Sequence, residues 1–305
     1  MRLENSLRAR GFKVVSNPSG DYSFDMLAGK PGDVLAIKVL ENLRHEKARK
    51  YVDDLRSLAL SLDVVPLVAC EEGIPEGSLV TYKGVPSLSL ETVDKILNRE
   101  EGPFVYFSKG GVYVKIRGDA VKRLRREKGM SLGDLSLKLG VTRRMVYEYE
   151  IGRSDATLEV AYKLVQLLGE EVVEKLNFKN ITKYFMEQSG EGGREVQASR
   201  IVKDPLLKWL LTRLEEMGFL SRVLEKAPFN VAAKGQVGGK CKVVIKRSGS
   251  SEEETLTVDA AKICGSYALF INGEGLRLIG EREVRAPSRP ENLDLKEIFK
   301  SAGSQ

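Results

Sequence analysis

One histidine (His45), three cysteines and one tryptophan are all that 305 residues provide of those types. A single histidine leaves only one candidate base for serine–histidine or cysteine–histidine catalysis. It lies in the polar stretch ENLRHEKARKY, which reads as the solvent face of a helix. Cys70, Cys241 and Cys264 are too widely spaced for a disulfide framework or a zinc clamp, and a reducing cytoplasm is the matching setting. No apolar run approaches the roughly 18 residues that span a bilayer. The opening MRLENSLRAR has no apolar core of the secretory kind. The expectation is a cytoplasmic protein with no membrane partner, no metal site and no cofactor.

The chain does have length and charge. At 305 residues it is long enough for two or three domains, and 42% hydrophobic content is enough to build their cores. The formal net charge is +6, and it is unevenly spread. Residues 1–100 carry 14 basic and 15 acidic groups, whereas residues 117–153 alone carry 10 basic and 5 acidic ones. A basic island in a near-neutral chain is the electrostatic footprint of nucleic-acid contact.

Along the chain, Leu3 and Leu7 share one helical face and Gly11-Phe12 ends that helix. Strands are expected at KVVS, YSFDMLAG and DVLAIKV, the last two joined by a Pro31-Gly32 turn. A long helix from about Glu41 to Leu62, a buried strand VVPLVAC and a short helix from Leu90 to Leu97 complete an α/β domain over 1–102. Residues 103–117 read as a β-hairpin connector around Lys109-Gly110-Gly111. Helical periodicity then runs through 118–180, followed by a polar, glycine-rich linker over 181–203. A second α/β domain spans 204–287, and a tail over 288–305 is expected to fray or dock loosely.

The second α/β segment repeats the first. WLLTRLEEMGF (209–219) answers LENSLRARGF, FNVAAKGQVGGKCKVVIKR (229–247) answers FDMLAGKPGDVLAIKV, and VDAAKICGSYALFIN answers VDDLRSLALSLDVVPLVAC. The first copy resembles the PD-(D/E)xK nuclease-like fold. That resemblance implies one acid, then acid-x-lysine on the next strand, holding Mg²⁺ and orienting water. Asp25 and Lys38 fit the outer positions, but Ala36 stands where the middle acid belongs; Glu4 could add a carboxylate. In the second copy Asn230 and Val244 replace both acids and only Lys246 remains. Both copies are therefore expected to be catalytically inactive scaffolds with a vestigial motif of Asp25, Lys38 and Lys246. The alternative is a Mg²⁺-dependent nuclease or resolvase-like DNA-processing protein using Asp25 and Lys38.

Residues 120–169 carry the strongest signal. Helices are expected over 119–128, 132–139 and 142–149, and from about Thr157. Gly129 stops the first, Ser131 caps the second, Gly140 makes the tight turn and Thr142 caps the third. Val121, Leu124, Leu135, Leu139, Val146 and Tyr149 face inward, as do Leu158, Ala161, Leu164, Val165 and Leu168 on the fourth helix. Arg143, Arg144, Tyr147 and Glu148 share the outer face of the third. Two arginines in a first turn oppose the helix dipole.

This segment resembles the Cro/repressor type of helix-turn-helix domain, a five-helix all-α fold. The resemblance implies that helix 142–149 is the recognition helix, with Arg143 and Arg144 on base edges or phosphates. It makes Tyr147 and Glu148 secondary readers and gives Ser131 and Thr142 phosphate contacts. It also pairs Glu150 with Arg125 as an architectural ion pair. Leu132 departs from the glutamine that many relatives carry. The whole layout resembles the archaeal family of HTH-type transcriptional regulators of about 300 residues, with a Cro-type domain in mid-chain. The resulting expectation is a multidomain α/β plus all-α protein. It would be a non-enzymatic, sequence-specific regulator that binds double-stranded DNA as a homodimer. The residues name no effector.

Overall fold

A computed structural model of the protein describes residues 2–17, 21–98, 105–108, 111–175, 181, 197–237, 239–247, 249–272, 275–280, 282–287 and 294–302. Two compact units emerge, and they do not follow chain order. One is built from 1–68, 83–85 and 187–305, the other from 69–82 and 86–186.

The first unit opens with α1 (Arg2–Ala9), which buries Leu3 and Leu7. Gly11 (φ 79°) turns the chain so that Phe12 enters the core. Strands β1 (Lys13–Ser16), β2 (Met26–Lys30) and β3 (Asp33–Leu40) form an antiparallel meander, with Lys13 opposite Gly29 and Met26 opposite Ile37. Pro31-Gly32 closes the tight turn between Lys30 and Asp33. Helix α2 runs Ala48–Leu62, ending at Asp63 in the left-handed conformation, and β4 (Val65–Cys70) is buried at every position. The expected helix start at Glu41 is corrected. The Asn42 side chain accepts from the Arg44 amide and His45 Nδ1 accepts from the Lys47 amide. Such local bonds offer the backbone turns in place of helix; His45 is exposed there, as expected.

The C-terminal half of this unit repeats the order. After α8 (Ala198–Ile201) come α9 (Pro205–Glu216), β10 (Leu220–Val223), β11 (Val231–Gln236), β12 (Lys240–Arg247), α10 (Ser251–Cys264) and β13 (Tyr267–Ile271). Asp204 caps α9 by accepting from the Leu207 amide, with Pro205 in the first turn. Equivalent backbone bonds recur, from Asp25 N to Ile37 O and from Asn230 N to Ile245 O, both 2.8 Å. The copies also share helices: α2 packs on β3 of its own copy and on β10 and β11 of the other, and α10 packs on β12 and β13 of its own copy and on β1 and β2 of the other. A Cβ on Gly29 would stand 3.0 Å from the Ile263 carbonyl oxygen, so this glycine permits the close approach of α10.

The two copies are joined at Asp54 of α2, whose carboxylate accepts from the Glu225 and Lys226 amides at 3.2 and 2.6 Å. Burial pushes its carboxyl up to about 6, against the pull of those two amides and with help from Glu225 and Asp53. A carboxyl raised on folding holds its proton more tightly in the native state. Its stabilising contribution is present below the ordinary carboxylate range and is lost as pH rises through about 6. Unfolding free energy is expected to fall by up to about 3 kcal/mol from this group between pH 4 and 7. Thermal melts of wild type and Asp54→Asn across that range should differ in slope; parallel curves would exclude the coupling.

The sheet continues antiparallel through β14 (Gly275–Ile279) and β15 (Glu283–Pro287). Expected loose, the tail instead forms α11 (Leu295–Ala302) and docks. Leu295 and Phe299, one turn apart, join the core, with Phe299 stacked on Phe219 at 5.7 Å and edge-on to Tyr267 at 5.5 Å. Residues 288–293 of that tail and 182–196 of the expected linker lie outside the described residues.

In the second unit the strand order is β6-β5-β7-β8-β9. The strands β5 (Ser78–Tyr82) and β6 (Val85–Ser89) were not read from the sequence. Helix α3 (Leu90–Leu97) starts at a Ser89 cap, as expected in place. The hairpin of β7 (Val105–Ser108) and β8 (Gly111–Val114) is present, while its turn residues Lys109 and Gly110 lie outside the described residues. It is bolted to the helices that follow. β8 pairs with β9 (Ala156–Thr157), Tyr106 donates to Asp155 at 2.7 Å, and Val114 and Ile116 enter the helical core.

Those helices are α4 (Gly118–Glu127), α5 (Leu132–Leu139), α6 (Arg143–Glu150) and α7 (Leu158–Leu168), followed by a 3-10 turn at Glu170–Val172. Val121, Leu135, Leu139, Val146, Tyr149, Ala161, Leu164 and Leu168 form their core. Leu158, expected inside, is half exposed, because Thr157 caps α7 and leaves Leu158 in the open first turn. Most of the chain after Lys175 that could form a fifth helix lies outside the described residues.

Candidate nucleic-acid interface

Two capped helices joined by a three-residue turn set the geometry. The Ser131 hydroxyl accepts from the Asp134 amide at 3.1 Å and the Asp134 carboxylate accepts from the Ser131 amide at 2.8 Å, a reciprocal capping box. Those bonds from Ser131, with the positive charges of Arg143 and Lys138, hold the Asp134 carboxyl below the usual range. Gly140 ends α5 at φ 73°, a conformation that side chains resist. Thr142 then caps α6, its hydroxyl accepting from the Met145 amide at 3.1 Å.

Val146 and Tyr149 pin α6 to the core, so by helical spacing the opposite side faces water. Arg143, Arg144 and Tyr147 are exposed there, with Tyr147 at 50%. Glu148 is half buried and lies 3.7 Å from Arg144, a loose pair on the surface. No acidic residue occupies the first turn of α6, so two guanidinium groups face the positive end of the helix dipole. Ser131 thus caps α5 and Thr142 caps α6, while Arg143, Arg144, Tyr147 and Glu148 lie on α6 itself.

Behind that face, Arg125 and Glu150 form the expected pair. Arg125 Nε and Nη2 donate to the two Glu150 oxygens at 2.5 and 3.2 Å, and Nη1 donates to the Met130 carbonyl at 2.7 Å. Both side chains are buried, and the bond to Glu150 raises the Arg125 pKa further. One guanidinium therefore ties α4, the α4–α5 turn and the end of α6 together.

In the other unit the vestigial motif is assembled but closed. Lys38 Nζ donates to Asp25 at 2.8 Å, and the second Asp25 oxygen accepts from the Val39 amide at 2.6 Å. The Tyr51 ring covers Lys38, with Nζ 4.3 Å from its centroid. Ala36 is fully buried, and Glu4 is engaged by Arg8 at 2.8 Å. In the second copy the Arg247 amide donates to Asn230 at 2.7 Å, repeating the Val39–Asp25 bond, while Lys246 pairs with Glu253 at 2.9 Å. One carboxylate already bonded to a lysine does not fit Mg²⁺, a hard cation that needs several oxygens.

Residues 121–175 match the family described as Helix-turn-helix, and residues 1–103 match the PD-(D/E)XK superfamily domain. A protein of Methanosphaerula palustris named "Putative HTH-type transcriptional regulatory protein" is 34% identical over 292 residues, covering 89% of this chain and 88% of its own. The chain belongs to that family of archaeal HTH-type regulatory proteins. Relatives with the same name from Methanocella arvoryzae and Thermococcus gammatolerans are 27% and 26% identical, covering 92% and 96% of this chain and 82% and 89% of theirs. No solved structure matches.

For this HTH-type family member, sequence reasoning missed residues whose role is space or anchoring. A Cβ on Gly118 would lie 2.6 Å from the Glu150 carbonyl oxygen, so α4 can begin against the end of α6 only with glycine there. Asp155 receives Tyr106 and the Ile116 amide, joining hairpin to helices. A glycine at the start of a helix with no turn to make was the available signal for Gly118. Among the described residues no helix is long and apolar enough to cross a membrane.

Proposed function

We propose that this protein is a sequence-specific, DNA-binding transcriptional regulator that reads the major groove with α6. The carrying observation is the outer first turn of α6. Arg143 and Arg144 stand exposed where a helix ordinarily favours acids, a placement that is costly alone and favourable against a polyanion. Arginine forks match guanine and phosphate acceptors, and the Ser131 and Thr142 caps offer hydroxyls and first-turn amides to backbone phosphates. Tyr147 and Glu148 complete the reading edge. Two copies of the chain would read half-sites one helical turn apart as a homodimer. The nuclease-like unit serves as a scaffold, because its motif lacks the second carboxylate and Asp25 is bonded to Lys38.

Selection from a pool of randomised duplexes tests this. Enrichment of one sequence is expected, with affinity falling steeply with salt at a log–log slope of about −0.9 per phosphate contacted. The same mixtures with Mg²⁺ should leave duplex, branched and single-stranded DNA uncut. Salt-independent retention, or no retention, would overturn the regulator; Mg²⁺-dependent cutting abolished by Asp25→Ala or Lys38→Ala would instead establish a nuclease.

A further inference from the structure

Gly133 lies in the first turn of α5, in ordinary right-handed backbone. Nothing about its conformation calls for glycine, and glycine is among the poorest residues for a helix. What a side chain at 133 would meet is a single group. An added Cβ would stand 3.0 Å from both Nε and Nη2 of Arg143 and 3.2 Å from its Cζ. The two nitrogens are nearer than the carbon that joins them, so the Nε–Nη2 edge of the group is turned toward the bare backbone at Gly133 and occupies the space a side chain would take. The neighbouring Asp134 carboxylate, itself fixed by the capping box, feels the Arg143 charge.

Resting on the DNA-reading role of α6, we infer that Gly133 is a positioning residue for Arg143. Its bare backbone leaves room for the guanidinium edge to rest against α5, which orders the group before DNA arrives. A free arginine loses much side-chain entropy when it docks on a base or phosphate. A seated one has already lost part of it, so affinity and base preference at the Arg143 contact depend on an atom that Gly133 lacks. An alanine methyl at 133 takes that space and displaces the guanidinium from its contact with α5, while the helix itself is strengthened.

The experiment compares Gly133→Ala with wild type, each also in an Arg143→Ala background, on a labelled duplex recovered from the randomised pool. Gly133→Ala is expected to melt at or above the wild-type temperature. It should bind the duplex about three- to tenfold more weakly, the cost of immobilising one long side chain, and should discriminate less at the base that Arg143 reads. In the Arg143→Ala background the same substitution should change affinity by less than about twofold, because the partner is gone. Without DNA, ¹⁵N relaxation of the Arg143 Nε–Hε group should show a restrained side chain in wild type and a mobile one in Gly133→Ala. Wild-type affinity in Gly133→Ala, equal losses in both backgrounds, or unchanged Arg143 mobility would each overturn the inference. Those results leave the regulator reading intact. If Arg143→Ala binds as wild type does, the reading itself fails at this residue.

Discussion

Replacing Arg125 by alanine is expected to lower the unfolding free energy of the helix-turn-helix unit by about 3–5 kcal/mol, among the largest losses any single substitution here would cause. The magnitude follows from what remains behind. Glu150 is buried and its two oxygens both accept from Arg125, so truncation leaves a charged carboxylate in the core. It also frees the Met130 carbonyl that Arg125 Nη1 satisfies at 2.7 Å. Lysine at 125 should recover only part of the loss, because a single ammonium cannot bond both Glu150 oxygens and Met130 in the same fork. Replacing both partners together, as Arg125→Met with Glu150→Leu, should destabilise far less than either alone, since an apolar pair of similar volume leaves no unpaired charge. Urea denaturation of wild type, Arg125→Ala, Arg125→Lys, Arg125→Met, Glu150→Leu and the double variant checks this. Additive losses in the double variant would show that the two side chains act separately.

Removing Arg143 and Arg144 together is expected to weaken binding to the selected duplex by about 10²-fold or more, each arginine contact contributing roughly 1–3 kcal/mol. The salt slope should become shallower by about one to two units if phosphates are among the contacts. Stability should not suffer. Neither guanidinium packs in the core, and both oppose the dipole of α6, so the double alanine variant should melt at or slightly above wild type. This combination of lost affinity with retained fold separates a reading face from a structural one. Measurement by fluorescence anisotropy beside a thermal melt is sufficient. Binding unchanged within about twofold, in a variant that melts normally, would remove α6 as the recognition helix.

Much of this was legible in the chain. Ser131, Gly140, Thr142 and Thr157 are caps and turns whose chemistry is local, and each stands where its helix begins or ends. The inward stripe through Leu135, Leu139, Val146 and Tyr149 follows from a period of 3.6, which leaves Arg143 and Arg144 outside. Asp25 and Lys38 were singled out by the resemblance to the PD-(D/E)xK motif, and the two are paired in the structure. The errors share a different cause. Asn42 and His45 diverted the backbone into turns before α2, a competition that periodicity does not register. Leu158 was placed inside by its apolar character, yet its position in the first turn of α7 leaves it open to water.

The sequence by itself determined most of the helices, their caps and the charge of one helix face, because these depend on residues within a turn or two of one another. Only the tertiary structure decided which surface each apolar face would cover. Nothing in the pattern of α2 or α10 says that each packs on the other copy's strands as well as its own, that Asp54 would join the two, or that Leu295 and Phe299 would draw the tail into a core. Hydrophobic burial is non-directional, so an apolar stripe fixes that a partner is needed and leaves its identity to packing. The same holds for Gly133 and Gly118: their importance lies in the absence of an atom, and only the neighbour that fills the space reveals it.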